Sequence, residues 1–520
     1  MSSTRHGGNF QLELAAGTLL PKEMPGINAF TFYDYLLDLA QSGASPESVL
    51  SVEPIYHRLA YISRLVAWID ASGFSHGTLP RLFLSTEPPT AEQIKSNLSP
   101  SDIEQILFFV ESETKQQVGC DLWKVLRQFL LTASTLKWVK NRPCSKPDWF
   151  KVNEFRNGGA GYARQAMAIT FGLTNESCAR KLIMTYVSGD LHRHQNDSGE
   201  FFRLDVGESD EDAFSCGLLL DKRSGMLGAS MDMAVMRKDP ETAAVAEIDV
   251  FEIKCRAKYT FCPENLMHPL SACYERMLDS PGEETIRDFL FGIRAPGVEY
   301  FPPDSVPSAA EALLTCAKGW ASPDAKASTR DRGSLIEKRH LQLNREVRST
   351  VYLFGEPCLK TNSIRPIVWP SGGTSCELPI FINPKHQNFK QIFVQTYVLA
   401  DYYPDAKISQ YLVTFIGRSR RANEFGRVLR LDGGREDLAE PISLDHIHAI
   451  PILLIKTPVV IDRDHFSDLS SLGKEAFEFS VKETWGNAAD AAAAPRIGRG
   501  CAAKKPGPTE LLCAPESTQH

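Results

Sequence analysis

Three ionisable side chains stand where they could act together. Asp232 ends the stretch Gly228-Ala-Ser-Met-Asp232, and Glu252 and Lys254 are two apart in Ile248-Asp-Val-Phe-Glu-Ile-Lys-Cys-Arg-Ala-Lys-Tyr259. The run Gly225–Tyr259 reads as strand, charged turn and strand, with Met236–Glu247 as the turn. Period-two alternation puts Val250, Glu252, Lys254, Arg256 and Lys258 on one face. Phe251, Ile253, Cys255, Ala257 and Tyr259 fall on the other. Hairpin pairing would set Asp232 opposite Glu252 and Lys254. Such carboxylates suit a hard divalent cation, which takes oxygen ligands, and the backbone carbonyl of Ile253 could add a third donor. Lys254 would hold a water molecule and favour its deprotonated form. These are the parts for hydrolysing a phosphodiester, with two ions clamping the entering and leaving oxygens. The same pattern also describes a plain amphipathic strand with Glu and Lys on its wet face. The rest of the chain has to decide.

The positioning elements begin with helices. The chain has 520 residues, enough for one large domain or a few fused ones. Hydrophobic residues make up 43% and charged residues 23%, as in ordinary globular proteins. The net charge of −7 argues against a generic basic nucleic-acid coat but leaves room for a local basic groove aided by cations. The 12 cysteines show no zinc spacing and suit a reduced, intracellular chain. His192, His194, His446 and His448 read as loop or strand residues rather than ligands. Met1–Leu14 lacks a signal-peptide apolar core. Ile447–Ile461, the longest apolar run, is too short and interrupted to span a membrane and reads as one or two buried strands.

Residues 1–25 read as a loose lead-in. From Ala29 to Phe109 apolar residues recur at helical spacing, with a helix start at Ser99-Pro100-Ser101-Asp102. Trp123–Trp138 begins as a helix, and Thr132-Ala133-Ser134 resembles the cap of a next one. With Arg127 nearby, such a helix start is an anion site. On this segment alone a routine cap beside a surface arginine is the favoured reading. Residues 140–160 read as loop, and Phe171-Gly-Leu-Thr-Asn-Glu176 leads a helix through Val187. Ser188–Ser215 is acidic and reads as an exposed insertion. Further on, Pro269–Gly292, Ala309–Ala321 and Asn388–Tyr403 read as helices. Gly297–Phe301, Ser349–Leu353, Phe381-Ile382 and Gln410–Ile416 read as strands, and Ser322–Arg332 as a loop. Arg418, Arg420 and Arg421 read as a solvated basic turn with phosphate contact as the alternative. The Ala-, Pro- and Gly-rich end beyond Gly486 reads as a disordered tail.

Three separated segments point one way: Phe171–Glu176, Gly228–Asp232 and Phe251–Tyr259. An Asp followed by Glu-x-Lys on the next strand resembles the constellation of the PD-(D/E)xK nucleases. Together with Arg294-Ala-Pro-Gly-Val-Glu-Tyr300, Phe381-Ile-Asn-Pro-Lys-His-Gln387 and Pro451–Val460, the three resemble the herpesvirus alkaline nuclease (shutoff and exonuclease) family, in matching order over roughly residues 110–465. That family's fold is similar to phage λ exonuclease, in which a Trp, an Arg four residues on and a Thr-Ala-Ser precede the catalytic residues. Trp123, Arg127 and Thr132-Ala133-Ser134 match here.

The resemblance implies an α/β fold: a restriction-endonuclease-like core with a central mixed sheet flanked by helices and an N-terminal helical region. The expected division is a lead-in at 1–25, a helical cap at 26–112, a nuclease core at 113–300, a part at 301–485 completing the same globule, and a tail at 486–520. Arg127, Ser134 and Thr132 would bind a 5′-phosphate. Asp232, Glu252, Glu176 and the Ile253 carbonyl would hold one or two Mg2+ ions, with Mn2+ as a substitute, and Lys254 would activate water. The spacing from Glu176 to Asp232 is longer than the family pattern, so the acidic stretch must loop out. The implied activity is alkaline 5′-to-3′ digestion of linear double-stranded DNA, with endonuclease activity, on replicating viral DNA for recombination and packaging. The implied place is the host nucleus, with a cytoplasmic pool left open. The implied partners are DNA ends and a viral single-stranded DNA-binding protein, with no membrane. Degradation of host mRNA remains open. Two rivals are an RNA-specific endonuclease and a catalytically inactive adaptor that keeps the fold.

Overall fold

The computed structural model describes residues 20–76, 88–139, 142–145, 166–187, 201–203, 216–239, 241–242, 244–293, 335–384, 386–433 and 442–493. Helices come first: α1 (Phe32–Gln41), α2 (Pro46–Leu50), α3 (Pro54–Ala71), α4 (Ala91–Asn97) and α5 (Pro100–Glu113). Thr31, Thr90 and Ser99 start α1, α4 and α5 with reciprocal caps, each accepting from the third helical residue, whose side chain bonds back. The expected helix start at Ser99 is one of these. The chain is already docked at Leu20 and Met24, whose N–H groups donate to Glu113 at 2.9 Å and Asp121 at 3.0 Å.

After α6 (Asp121–Leu126) the structure departs from expectation. Phe129 takes a φ of 58° and Leu131 bridges to Leu227. Thr132 accepts from the N–H groups of Thr135 and Leu136 in a turn. That turn feeds β1 (Leu136–Val139), paired antiparallel with β2 (Arg142–Ser145). Thr132-Ala133-Ser134 therefore caps no helix. The residues that follow, including Trp138 and Val139, favour a strand. β2 also lies where loop was expected.

Helix α7 (Ala166–Leu182) runs on through a π turn at Ile183–Val187. Glu176 sits within it rather than at its start. Inside the acidic stretch, β3 (Phe201–Arg203) adds an edge strand to the main sheet. β4 (Leu219–Leu220) pairs with β5 (Gly228–Ala229). β6 (Met233–Lys238) and β7 (Val245–Cys255) form the expected hairpin with a shorter turn, since β6 extends to Lys238 and β7 starts at Val245. β7 also ends early: Arg256 leaves the strand and Ala257–Tyr259 is a 3-10 turn, so Lys258 does not share the face of Glu252.

α8 (Pro269–Asp279) and α9 (Glu283–Phe291) divide the expected helix at Ser280-Pro281-Gly282. The elements expected between Arg294 and Arg332 lie outside the described residues. Then follow α10 (Leu335–Asn344), β8 (Ser349–Leu353), β9 (Ser363–Ile364), β10 (Cys376–Leu378), α11 (Gln387–Tyr402), β11 (Lys407–Arg418), β12 (Leu429–Leu431), β13 (Ser443–Leu444), β14 (Ile450–Val459) and α12 (Phe466–Ala493). Phe381 and Ile382 are buried but belong to no strand. α12 continues through Gly486 to Ala493, so the expected tail is helical over that part. The arginine cluster is no solvated turn. Arg418 is fully buried between Glu356 and Glu424, and buried Arg420 donates to the carbonyls of His448, Asp445, Glu424 and Arg427.

The main sheet has seven strands in the order β10-β8-β14-β11-β7-β6-β3. β7 and β11 run parallel at its centre, and the other pairs are antiparallel. The fold is thus mixed α/β with a central mixed sheet and helices, as expected. Ile248 and Val250 pack into the larger core with α11 and the N-terminal helices, while Phe251 and Ile253 pack into a smaller core with α7. No helix among the described residues is long and apolar enough to cross a membrane.

Candidate active site

The site forms where β7 outruns its neighbour. Met233, the first residue of β6, pairs with Phe251. Past that point the Ile253 N–H has no strand partner on this side and donates to Asp232 Oδ2 at 2.7 Å. The Arg256 N–H points the opposite way, to the Phe415 carbonyl at 2.9 Å. Alternation along the strand therefore turns the Ile253 carbonyl to the same open edge as Asp232. Glu252 lies on the α11 face, is 0% exposed, and accepts from Gln395 Nε2 at 2.6 Å. The Lys254 ammonium pairs with Glu252 and stands 3.7 Å from Asp232 Oδ2. One cation thus reaches both carboxylates, as the hairpin reading required. Glu176 arrives from α7 and pairs with Arg180, one helical turn on.

The electrostatics follow from this crowding. Burial, then the Asp232 charge, push the Glu252 carboxyl up to about 8. The same two causes in the same order push Glu176 up to about 7. Burial opposes the charge on Lys254, but Glu252 and Asp232 outweigh it and raise its pKa, so it stays an ammonium. Among the described residues no group of three or more His, Cys, Asp or Glu side chains is gathered closely enough to hold a metal ion as it stands. Glu176 is turned to Arg180, and Glu252 to Lys254 and Gln395. The donor set nevertheless suits a hard cation: carboxylates and a carbonyl, all oxygen, at a point where like charge is penalised.

Arg127, Thr132 and Ser134 come together although their local structure was misjudged. They line an open pocket with Gly228, Ser230 and Gln395. The Thr132 and Ser134 hydroxyls are 2.9 Å apart. The Arg127 guanidinium lies 4.1 Å over the Trp123 ring, whose Nε1 donates to Ser230 Oγ at 3.2 Å. Burial lowers the Arg127 pKa to about 10. Gln395 joins the two halves of the site, since it lines this pocket, bonds Glu252 and donates to the Ser230 carbonyl at 3.0 Å. Sequence reading missed it. The available signal was Gln387, Gln391 and Gln395, four apart on one face of a helix.

The residues flanking Glu176 were also missed. Asn175 Oδ1 accepts from the Ala449 N–H at 2.7 Å, and Ser177 Oγ lies 3.0 Å from His448 Nε2. The Asp445 N–H donates to His448 Nδ1 at 3.1 Å, which leaves the ring proton on Nε2, donating to Ser177. This serine and histidine are therefore a clamp on α7, because the imidazole nitrogen facing the hydroxyl cannot accept its proton.

A family model described as viral alkaline exonuclease matches residues 10–494. The alkaline nuclease of Equine herpesvirus 1 (strain Ab4p) is 36% identical over 499 residues, covering 91% of this chain and 86% of that protein. The shutoff alkaline exonuclease of Epstein-Barr virus (strain GD1) is 25% identical over 397 residues, covering 72% of this chain and 75% of that protein. Two solved structures share the fold at 19% identity. A crystal structure of a SOX-DNA complex gives a TM-score of 0.59, covering 88% of this chain and 91% of that one. A KSHV SOX RNA complex gives 0.60, covering 90% and 98%.

Proposed function

The chain belongs to the viral alkaline exonuclease family, a nuclease family, and from that premise we propose that it digests linear double-stranded DNA from 5′-phosphorylated ends with a PD-(D/E)xK site. The observation that carries the proposal is the convergence of Asp232, Glu252 and Lys254 at the end of β7. Asp232, Glu252, Glu176 and the Ile253 carbonyl would hold Mg2+, with Mn2+ able to substitute, as one or two ions. A bound divalent cation supplies Lewis acidity to phosphoryl oxygens and eases the ionisation of water. Lys254, held as an ammonium, orients the attacking water and stabilises negative charge on its oxygen as the proton departs. Gln395 fixes Glu252 and keeps one carboxylate oxygen committed. Arg127, Thr132 and Ser134 would grip the 5′-phosphate and so set which phosphodiester lies at the carboxylates. Water is the nucleophile, and no covalent intermediate forms.

On this reading the protein works in the host nucleus on replicating viral DNA, trimming ends and branches for recombination and packaging, beside a viral single-stranded DNA-binding protein. Cleavage of host mRNA is the second reading. It is favoured by relatives named shutoff alkaline exonucleases and by the fold's likeness to an RNA complex. Unchanged reporter mRNA in transfected cells would remove it.

The test uses linear duplex DNA with 5′-phosphates, with Mg2+ or EDTA, for the native chain and Glu252→Gln. Nucleotide release should need the metal and fall by roughly 10²–10³-fold or more in the mutant. Intact DNA with cleaved RNA would favour an RNA-specific endonuclease. Neither substrate cut would leave an inactive adaptor with the fold of a nuclease.

A further inference from the structure

The pocket that holds Arg127, Thr132 and Ser134 rests on a residue from the N-terminal helical layer. Arg58, on α3, is 0% exposed. Its Nη2 donates to the Phe129 carbonyl at 2.9 Å and lies 3.4 Å from Met226 Sδ. The guanidinium carbon sits 4.0 Å over the Phe32 ring. Its Nε and Nη1 have no hydrogen-bond partner among the described residues. A cation buried this way costs stability, and an apolar side chain of similar volume would often pack as well or better. Its partners suggest a use other than stability.

Phe129 has a φ of 58°, which a non-glycine residue adopts only when its surroundings enforce it. It lies between Arg127 and Thr132. Met226 lies two residues before Gly228, on the pocket's other lining segment. Backbone bonds join the two segments, from the Leu131 N–H to the Met226 carbonyl at 2.7 Å and from the Gly228 N–H to the Leu131 carbonyl at 3.1 Å. Gly225 lets this second segment settle onto Arg58. Its φ is 61°, and a Cβ there would stand 2.8 Å from the Arg58 Cβ and Cγ. Arg58 therefore touches, from beneath, both segments whose other sides line the pocket.

We infer that Arg58 is a positioning residue for the 5′-phosphate pocket, holding the backbone turn at Phe129 that aims Arg127, Thr132 and Ser134 and placing a buried positive charge beneath the anion. The inference rests on the pocket reading given under the proposed function. It gives the N-terminal helical layer a part in end recognition as well as in scaffolding.

The experiment compares duplexes ending in 5′-phosphate or 5′-hydroxyl, for the native chain, Arg58→Met and Arg58→Lys. The native chain should show the lower KM on phosphorylated ends. In Arg58→Met that preference should shrink by roughly tenfold, with kcat on hydroxyl ends within about twofold of native. Arg58→Lys keeps the charge and one donor and should retain part of the preference. A structural role alone would instead lower thermal stability and affect both kinds of end alike. Full preference retained in a folded Arg58→Met overturns the inference and leaves the pocket standing. No preference in the native chain overturns the pocket and the inference with it. Should Arg58→Met not fold, Arg58→Lys decides. A reduced preference with native kcat on hydroxyl ends supports the role, and an unchanged preference sinks it.

Discussion

Glu252 has the most to gain from a cation, and this gives a pH dependence with a definite sign. Its carboxyl, like that of Glu176, binds a proton more firmly in the folded chain than the ordinary value of 4.5 implies, because of burial and then Asp232. Without metal, the folded state therefore loses stability as pH rises from about 4.5 through the folded values near 7 and 8. A divalent cation competes with those protons and reverses the loss. Thermal stabilisation by Mg2+ should be larger at about pH 8.5 than at about pH 6, and the difference should shrink in Glu252→Gln. Equal Mg2+ shifts at both pH values would count against these carboxylates as the metal site. The meeting of Asp232, Glu252 and Lys254 was legible because strand alternation fixes the facing of Glu252 and Lys254, and the hairpin brings Asp232 to them within a short stretch. Gln395 was not, since its bond to Glu252 spans 143 residues and no local rule reaches that far.

The element that aims Glu176 is α7, which packs on the sheet through Cys178, Ala179 and Leu182 and is pinned beside Glu176 by a short run of polar bonds. Asn175 and Ser177 both attach to the segment 445–449, which buried Arg420 braces through the His448 and Asp445 carbonyls. Burial first of all lowers the His448 pKa to about 4, so the ring stays neutral and the clamp does not open near neutral pH. Asn175→Ala would leave the Ala449 N–H unpaired and should cost about 1–3 kcal/mol. It should also raise the Mg2+ concentration needed for half-maximal activity while leaving kcat at saturating Mg2+ nearer to native. A loss of kcat that excess metal cannot restore would instead place Asn175 in the chemistry. At this scale the sequence misled wherever one cue had two outcomes. Thr132-Ala133-Ser134 can cap a helix or turn into a strand, and here the strand-forming residues after it prevail. Arg418 and Arg420 resemble surface charge until distant Glu356 and a ring of carbonyls surround them.

Across the whole molecule, both ends of the described chain meet beneath the site. α12 lies against the N-terminal layer: Phe477 stands 5.1 Å from the His57 ring and 6.4 Å from that of Phe32, and Trp485 Nε1 donates to the Ala44 carbonyl at 2.9 Å. Strands β8, β10, β11 and β14 from the C-terminal third share the sheet that carries β7. The mixed sheet was implied by the family resemblance, but this closure of the two ends was not legible, since nothing in either helix names its partner. The contact is tight at Gly473, where a Cβ would come within 2.4 Å of Ser224 Oγ and 2.8 Å of Leu227 Cδ1. Ser224 is not free to move aside, because its hydroxyl donates to buried Asp221, which also accepts from the Leu227 N–H at 2.8 Å. In a free helix Gly→Ala would gain about 1 kcal/mol. Here the forced shift should outweigh that gain, since overpacking costs about 1–3 kcal/mol. Gly473→Ala should therefore lower the unfolding midpoint. The displaced segment is the one that carries Met226 and Gly228 to the pocket of Arg127, Thr132 and Ser134, so on the proposed reading of that pocket affinity for phosphorylated ends should fall with it. A Gly473→Ala protein as stable as native, with native KM on such ends, would show that α12 only covers the core and does not set the pocket.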